Sequence, residues 1–210
     1  MTRGARTQRW LEWAREIQSL AQTGLAFTSA HYDIQRYTRL GEIAAEIVAQ
    51  HTGVAVDDLR DSFLHQPGYA TPKVDVRGAV VRDGRILLVQ ERVDCRWCMP
   101  GGWADIDEKP SEMVAREVEE ESGLIVTPQK VIGVFDANRS GIPREFFHAY
   151  KVVFLCEYVR GEPGPSDETL AAAYFDFDRL PPLSSPRTDE RHLREVQKHL
   201  LHPERPAAFD

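Results

Sequence analysis

Long apolar runs are missing from this chain of 210 residues. The stretch Val152-Val153-Phe154-Leu155-Cys156 is far short of the roughly 20 residues that a membrane-spanning helix needs. No charged segment followed by an apolar core opens the sequence, so no secretory leader is read there. Together these predict a cytoplasmic protein without membrane partners. Cysteine is scarce, with three residues. Cys95 and Cys98 make a lone C-x2-C, but no second Cys or His pair follows at zinc-finger spacing, which argues against half a zinc site or a redox pair and for reduced thiols. Cys156 reads as a residue of a buried strand. Basic clusters are also absent: 26 Lys and Arg face 33 Asp and Glu, for a net charge of −7. That balance argues against a nucleic-acid or anionic-membrane surface. It does not exclude a phosphate-bearing ligand, because a bound metal reverses the sign inside an acidic site. Repeats and low-complexity tracts are absent too.

The first seventy residues read as helical and separate. Trp10, Trp13, Ile17, Leu20 and Ala21 recur at helical spacing, with Gly24 as a C-cap. A second helix is predicted from about Asp33 to His51, with Ile34, Tyr37, Ile43, Ile47 and Val48 on its apolar face and Gly53 ending it. Asp57 or Asp58 caps a short third helix through Leu59 and Phe63. The predicted divisions are a helical extension over 1–66, a linker over 67–72 rich in Pro and Gly, and a second domain over 73–205. Helices that expose Trp and aliphatic stripes must bury them on something. The downstream domain and a second copy of the chain are equal alternatives, and we take a homodimer through these helices as the expectation.

From Lys73 the period changes. Val74, Val76, Ala79-Val80-Val81 and Ile86-Leu87-Leu88-Val89 are strand-like, and Asp83-Gly84 between them signals a tight hairpin. Val131 to Phe135, Phe147 to Tyr158 and Ala171 to Phe177 read as further strands, with Asn138 to Pro143 as a loop. Thr188 to Leu201 reads as a closing helix with Leu193, Val196 and Leu200/Leu201 on one side. Strands, helix, strands, helix point to an α+β layered domain.

Between the strands lies the most informative stretch. Gly102 is followed after five residues by Glu108, and after seven more by Arg116-Glu117-Val118-Glu119-Glu120-Glu121-Ser122-Gly123-Leu124. Helical neighbours lie three and four apart, so Glu117 faces Glu120 and Glu121, and Glu120 faces Arg116. Carboxylates crowded in this way repel one another. A hard divalent cation, Mg²⁺ or Mn²⁺, is the natural partner of such an oxygen cage.

These residues match G-x5-E-x7-R-E-U-x-E-E-x-G-U, with U aliphatic, at every defined position, so the chain resembles the Nudix hydrolases. The resemblance implies an α/β/α sandwich over about residues 73–200 with this box as loop-helix-loop. It also implies cleavage of a nucleoside diphosphate linked to another group. The N-terminal stretches Ile17 to Phe27 and Tyr32 to Tyr37, with Thr71 to Gly78 and Met99 to Asp105, resemble a subgroup described as ADP-ribose or CDP-choline pyrophosphatases. Clean-up of nucleoside triphosphates and removal of a 5′ pyrophosphate from RNA are the enzymatic alternatives. A Nudix domain that senses a nucleotide without cleaving it is disfavoured, since every box acid is present.

The resemblance also implies roles. Glu117 and Glu121, one turn apart, are the direct metal ligands, with Glu120 as a further ligand and the Gly101 carbonyl completing the shell. Glu108 braces the loop or binds an additional metal. Arg116 either touches the substrate phosphates or orients Glu120 and Glu112 by pairing at i+4 and i−4, and the orienting role is preferred. The general base is either Glu120, in the box, or Glu168, on the Gly- and Pro-rich loop 161–169, with Asp167 beside it. Arg77 is the first candidate for substrate phosphate, followed by Arg92, Arg139, Arg144 and Arg187. Trp103, Phe135, Phe146, Phe147 and His148 are candidates for stacking or edge contacts to the nucleotide, with core packing the preferred role for each aromatic taken singly. The remaining histidines, His31, His51, His65, His192, His199 and His202, read as surface residues.

Overall fold

A computed structural model describes residues 9–64, 68–137 and 148–210. The chain divides into two compact units at Pro72/Lys73, and each is treated by itself.

The first unit is three helices: α1 (Arg9–Phe27), α2 (His31–Thr52) and α3 (Val56–Leu64). Its core is small, built from Ala14, Ala44, Ala45 and Val48 with Trp10, Ile17, Ile47 and Leu59 packed around them. Alanines at the crossing let α1 and α2 approach closely. Gly24 serves the same purpose and does not end α1 as the sequence suggests: a Cβ there would lie 2.4 Å from the Tyr37 ring. The helix therefore runs on to Phe27. Gly53 does cap α2, in the left-handed conformation, with its N–H on the Ala49 carbonyl. The expected apolar stripe is only partly covered. Trp13 is 53% exposed, and Leu20, Phe27, Tyr32 and Ile34 are exposed as well.

The second unit is a seven-stranded sheet with a helix on each face. Its strands are β1 (Lys73–Arg82), β2 (Arg85–Glu91), β3 (Trp97–Cys98), β4 (Ile125–Asp136), β5 (Ala149–Arg160), β6 (Thr169–Asp176) and β7 (Ala208–Phe209). The helices are α4 (Pro110–Ser122) and α5 (Glu190–Leu201). Side chains alternate across the sheet. Val76, Val80, Leu87, Phe154 and Cys156 face α4 and meet Met113, Val114 and Val118. Ala79, Ile86, Leu88, Ile132 and Val153 face the other way and meet Leu193 and Val196 of α5. Each fully buried aliphatic contributes on the order of 2 kcal/mol.

Several strands reach further than periodicity suggests. β4 begins at Ile125, six residues before Val131, and carries Pro128 at a register shift, where its missing N–H is tolerated. The second unit does not stop at residue 205, because β7 pairs in parallel with β4. On α5, Leu200 and Leu201 are exposed while His192 and His199 are buried. The expectation that these two histidines lie on the surface is thus corrected. Burial lowers His192 to about 3, so it stays neutral, and its Nδ1 accepts the Asp189 N–H at the start of the helix. No helix among the described residues is long and apolar enough to cross a membrane.

One topological detail creates the site. β1 and β2 pair only near their hairpin, at Val81↔Ile86 and Arg82↔Arg85. Beyond it β1 pairs with β5, and β2 with β6 and β3. The edge of β1 that β2 leaves is taken by the run before the box. Gly78 N–H donates to the Pro100 carbonyl, Val76 N–H to Gly102, and Ala104 N–H to the Val74 carbonyl.

Candidate functional site

Where β1 and β2 part, a cavity of about 260 Å³ is lined by Asp75, Arg77, Glu91, Gly101, Gly102, Trp103, Glu117, Glu121, Glu168 and Arg187. Its acids come from β1, β2, α4 and the loop before β6. Glu117 and Glu121 project from α4, because that helix turns Val114, Val118 and Glu121 inward on one stripe. Glu121 is 6% exposed, and its Oε2 accepts the Gly101 N–H at 2.8 Å. Gly101 has φ +139°, and a Cβ there would fall 2.0 Å from the Val76 carbonyl oxygen. Only glycine lets this loop run so close to β1.

Glu168 also lines the cavity, on a pinned loop. Thr169 Oγ1 donates to the Glu121 carbonyl at 2.7 Å. Ser166 Oγ accepts the Glu168 N–H, and Arg92 donates to the Ser166 and Asp167 carbonyls. Arg92 therefore holds the loop and is not aimed at a ligand.

The two α4 carboxylates are uncomfortable without a cation. Burial raises Glu117, with Glu120 and Glu168 adding to the shift and Arg116 and Arg77 opposing it. Burial pushes Glu121 to about 7, while Arg77 and the Gly101 N–H hold it down. Ionising Glu121 here costs about 3 kcal/mol more than in water. A divalent cation would remove that cost, so the donor set suits one. The described residues nevertheless contain no group of three or more Asp, Glu, His or Cys drawn together around a single point.

The remaining box acids lie elsewhere. Arg116 donates to Glu108 through Nε and Nη2, at 3.0 and 2.8 Å. Its Nη1 reaches Glu120 at 2.7 Å and Glu117 at 3.1 Å, and Nη2 also reaches Asp105 at 3.1 Å. Glu112 pairs with Lys109, not with Arg116 as expected. Glu120 and Glu108 do not line the cavity.

A model of the NUDIX domain matches residues 72–197. The chain belongs to the Nudix family. It is a hydrolase that acts on pyrophosphate bonds. A second family model, described as a UDP-X-like, N-terminal oligomerisation domain, matches residues 8–63. The chain is 39% identical to a putative ADP-ribose pyrophosphatase of Bacillus subtilis, over 96% of this chain and 97% of that protein. The crystal structure of an ADP-ribose pyrophosphatase from Streptococcus suis, 35% identical, superposes with a TM-score of 0.60 over 67% of this chain and all of that one. That of a UDP-X diphosphatase, 27% identical, superposes with a TM-score of 0.62 over 96% of this chain and 98% of its own length.

The cavity gathers Glu117, Glu121, Gly101, Trp103, Arg77, Arg187 and Glu168 from the residues singled out by sequence. Arg77 is present but differently employed. It is 1% exposed, with Nε and Nη2 on Asp75 at 2.8 Å each and Nη1 on the Met99 carbonyl at 3.2 Å. That corrects its reading as the first phosphate contact. Phe135 belongs to the core, edge-on to His192, and is not a base-stacking residue. Arg139, Arg144, Phe146, Phe147, His65 and the loop at 138–143 lie outside the described residues. Sequence reasoning missed Asp75 and Glu91, which line the cavity. Asp75 and Arg77 were readable as two charges at period two in an otherwise apolar strand. Glu91 carried no local signal.

Proposed function

We propose that this Nudix hydrolase is a Mg²⁺- or Mn²⁺-dependent pyrophosphohydrolase of a nucleoside diphosphate linked to another group, with ADP-ribose as substrate and CDP-choline next in order. The observation that carries the reading is the meeting of Glu117, Glu121 and Glu168 in one cavity beside the Gly101-Gly102 turn. Nudix hydrolases use divalent cations, and a cation held here by Glu117 and Glu121 would act as Lewis acid and neutralise phosphate charge.

The chain supplies the rest. Glu168, exposed on its pinned loop, is the general base that takes a proton from water as its oxygen attacks phosphorus. The anhydride P–O bond breaks, and the leaving phosphate takes the electron pair. With ADP-ribose the products are AMP and ribose 5-phosphate. Glu120 is less suited to the role, since its carboxylate is engaged by Arg116. Trp103, in the cavity lining, is the candidate contact for the base or sugar, and Arg116 orients the box. The relative from Bacillus subtilis supports ADP-ribose. A UDP-linked substrate is the second reading, favoured by the description of the N-terminal family model and by the UDP-X diphosphatase structure.

Assay of ADP-ribose, CDP-choline, UDP-sugars and nucleoside triphosphates with Mg²⁺ and with Mn²⁺ tests this. Release of AMP from ADP-ribose as the fastest reaction is expected, and faster turnover of triphosphates would contradict it. The exposed Trp13, Leu20, Phe27, Tyr32 and Ile34 support a homodimer through the N-terminal helices. Light scattering should then give twice the 23.9 kDa chain mass, and a monomer would refute it.

A further inference from the structure

Two arginines line the cavity, and their nitrogens are spent differently. Every nitrogen of Arg77 has a partner, on Asp75 or the Met99 carbonyl. Arg187 uses Nε on Glu91 Oε1 at 2.7 Å, and Nη1 on Ser184 Oγ at 3.0 Å with Asp94 at 3.5 Å. No partner among the described residues takes its Nη2. The side chain is only 5% exposed, and what it exposes borders the cavity it lines.

The segment that carries Arg187 is built to hold it. Trp97 N–H donates to the Pro182 carbonyl, and Ser184 N–H to the Trp97 carbonyl. Thr188 Oγ1 accepts the Met99 N–H. Lys151, buried on β5, donates to the carbonyls of Pro186 and Arg187. The run from residue 182 to residue 188 is thereby fixed to the same stretch, 97–99, that leads into the Gly101-Gly102 turn. Charge makes a free donor here consequential. Five acids, Asp75, Glu91, Glu117, Glu121 and Glu168, face two arginines in the lining, and Asp75 takes up Arg77. An entering diphosphate meets a net negative wall.

We propose that Arg187 is the residue that binds a phosphate oxygen of the substrate's diphosphate, through Nη2, while Arg77 serves only to position the loop at Met99. This rests on the pyrophosphohydrolase reading above. A planar fork held by Glu91 loses little freedom when it takes up a phosphate.

The test uses the full-length protein with Mg²⁺, as the parent, Arg187→Lys, Arg187→Gln and the double variant Glu91→Gln/Arg187→Gln. The double variant leaves no unpaired buried charge, which separates folding from recognition. We expect Arg187→Gln to raise KM for ADP-ribose tenfold or more with a smaller change in kcat, and Arg187→Lys to recover part of it. The double variant should recover the parent melting temperature and keep the raised KM. A double variant with the parent's KM would show that Arg187 only neutralises Glu91, and would overturn the proposal. Calorimetry with Mg²⁺-pyrophosphate gives an answer that does not depend on which nucleotide is cleaved. The parent should bind at least tenfold more tightly than either Gln variant, and binding no tighter than theirs would overturn the proposal. A parent that hydrolyses no nucleotide on the panel would remove the pyrophosphohydrolase reading, and calorimetry would still decide the role of Arg187.

Discussion

Helix α4 carries two sets of acids that differ by one position around its circumference and live in different physics. Glu117 and Glu121 line a cavity where burial raises both carboxyls above the usual carboxylate range. Glu120 lies in the next column, half exposed, and is tied with Glu108 to the Arg116 guanidinium. Arg116 in turn holds Glu108 below the usual carboxylate range. The box thus divides its labour: one pair is buried at the cavity, where Arg116 and Arg77 offset only part of the burial and a metal can supply the rest, and the other is tied by Arg116, which fixes the loop before the helix. Repulsion among crowded glutamates is resolved in two ways on one helix.

The contrast breaks first at Glu168, which joins the first set from another element. Glu168→Gln is expected to lower kcat by a hundred to ten thousandfold, on the order of what general acid–base catalysis contributes, with little change in metal affinity. A loss under about fivefold would move the base elsewhere. Glu117→Gln and Glu121→Gln should each cost on the order of a hundredfold in turnover, as loss of a preorganised electrostatic group does. At position 121 a glutamine can still accept the Gly101 N–H and has no charge to bury. Its melting temperature in chelator should therefore not fall, whereas activity within a few-fold of the parent for both variants would sink their assignment.

A smaller effect sharpens the picture of the buried floor. Burial lowers Lys151 to about 8, with Arg77 adding to the shift and Asp75 opposing it. An unfolded lysine titrates near ~10.4. Between those values the unfolded chain holds more protons than the folded one, so this group makes stability rise with pH across that window. Denaturant melts of the parent and Lys151→Met should show the parent gaining on the order of 2 kcal/mol relative to the variant from pH 8 to 10. The buried thiols Cys98 and Cys156, raised by burial, titrate in the opposite sense but are common to both proteins. Parallel pH curves would contradict the account.

How much of this was legible in the sequence follows from the range of the forces involved. Periodicity located α2, the β1–β2 hairpin and α4, because each writes its pattern within a dozen residues. The box acids were legible for the same reason. Gly24 was misread because the partner that requires it, Tyr37, belongs to another helix. Arg77 was misread because its charge neighbour Asp75, two residues away, was not weighed, and because Met99, whose carbonyl takes Nη1, is brought beside it only by the fold. Arg116 was expected to hold Glu112 at i−4, but Glu108 and Asp105 outcompete it from a loop whose path the helical wheel does not contain. His192 and His199 look like surface residues until α5 packs on the sheet. What was missed is what tertiary structure alone brings together.

The division of the box is tested most directly by Mn²⁺ affinity, read by electron paramagnetic resonance at pH 8 on the parent, Glu121→Gln and Glu120→Gln. Glu121→Gln is expected to weaken Mn²⁺ binding at least about tenfold, as loss of a direct ligand should, and Glu120→Gln less than about threefold. Equal losses, or a larger loss at Glu120, would contradict the account.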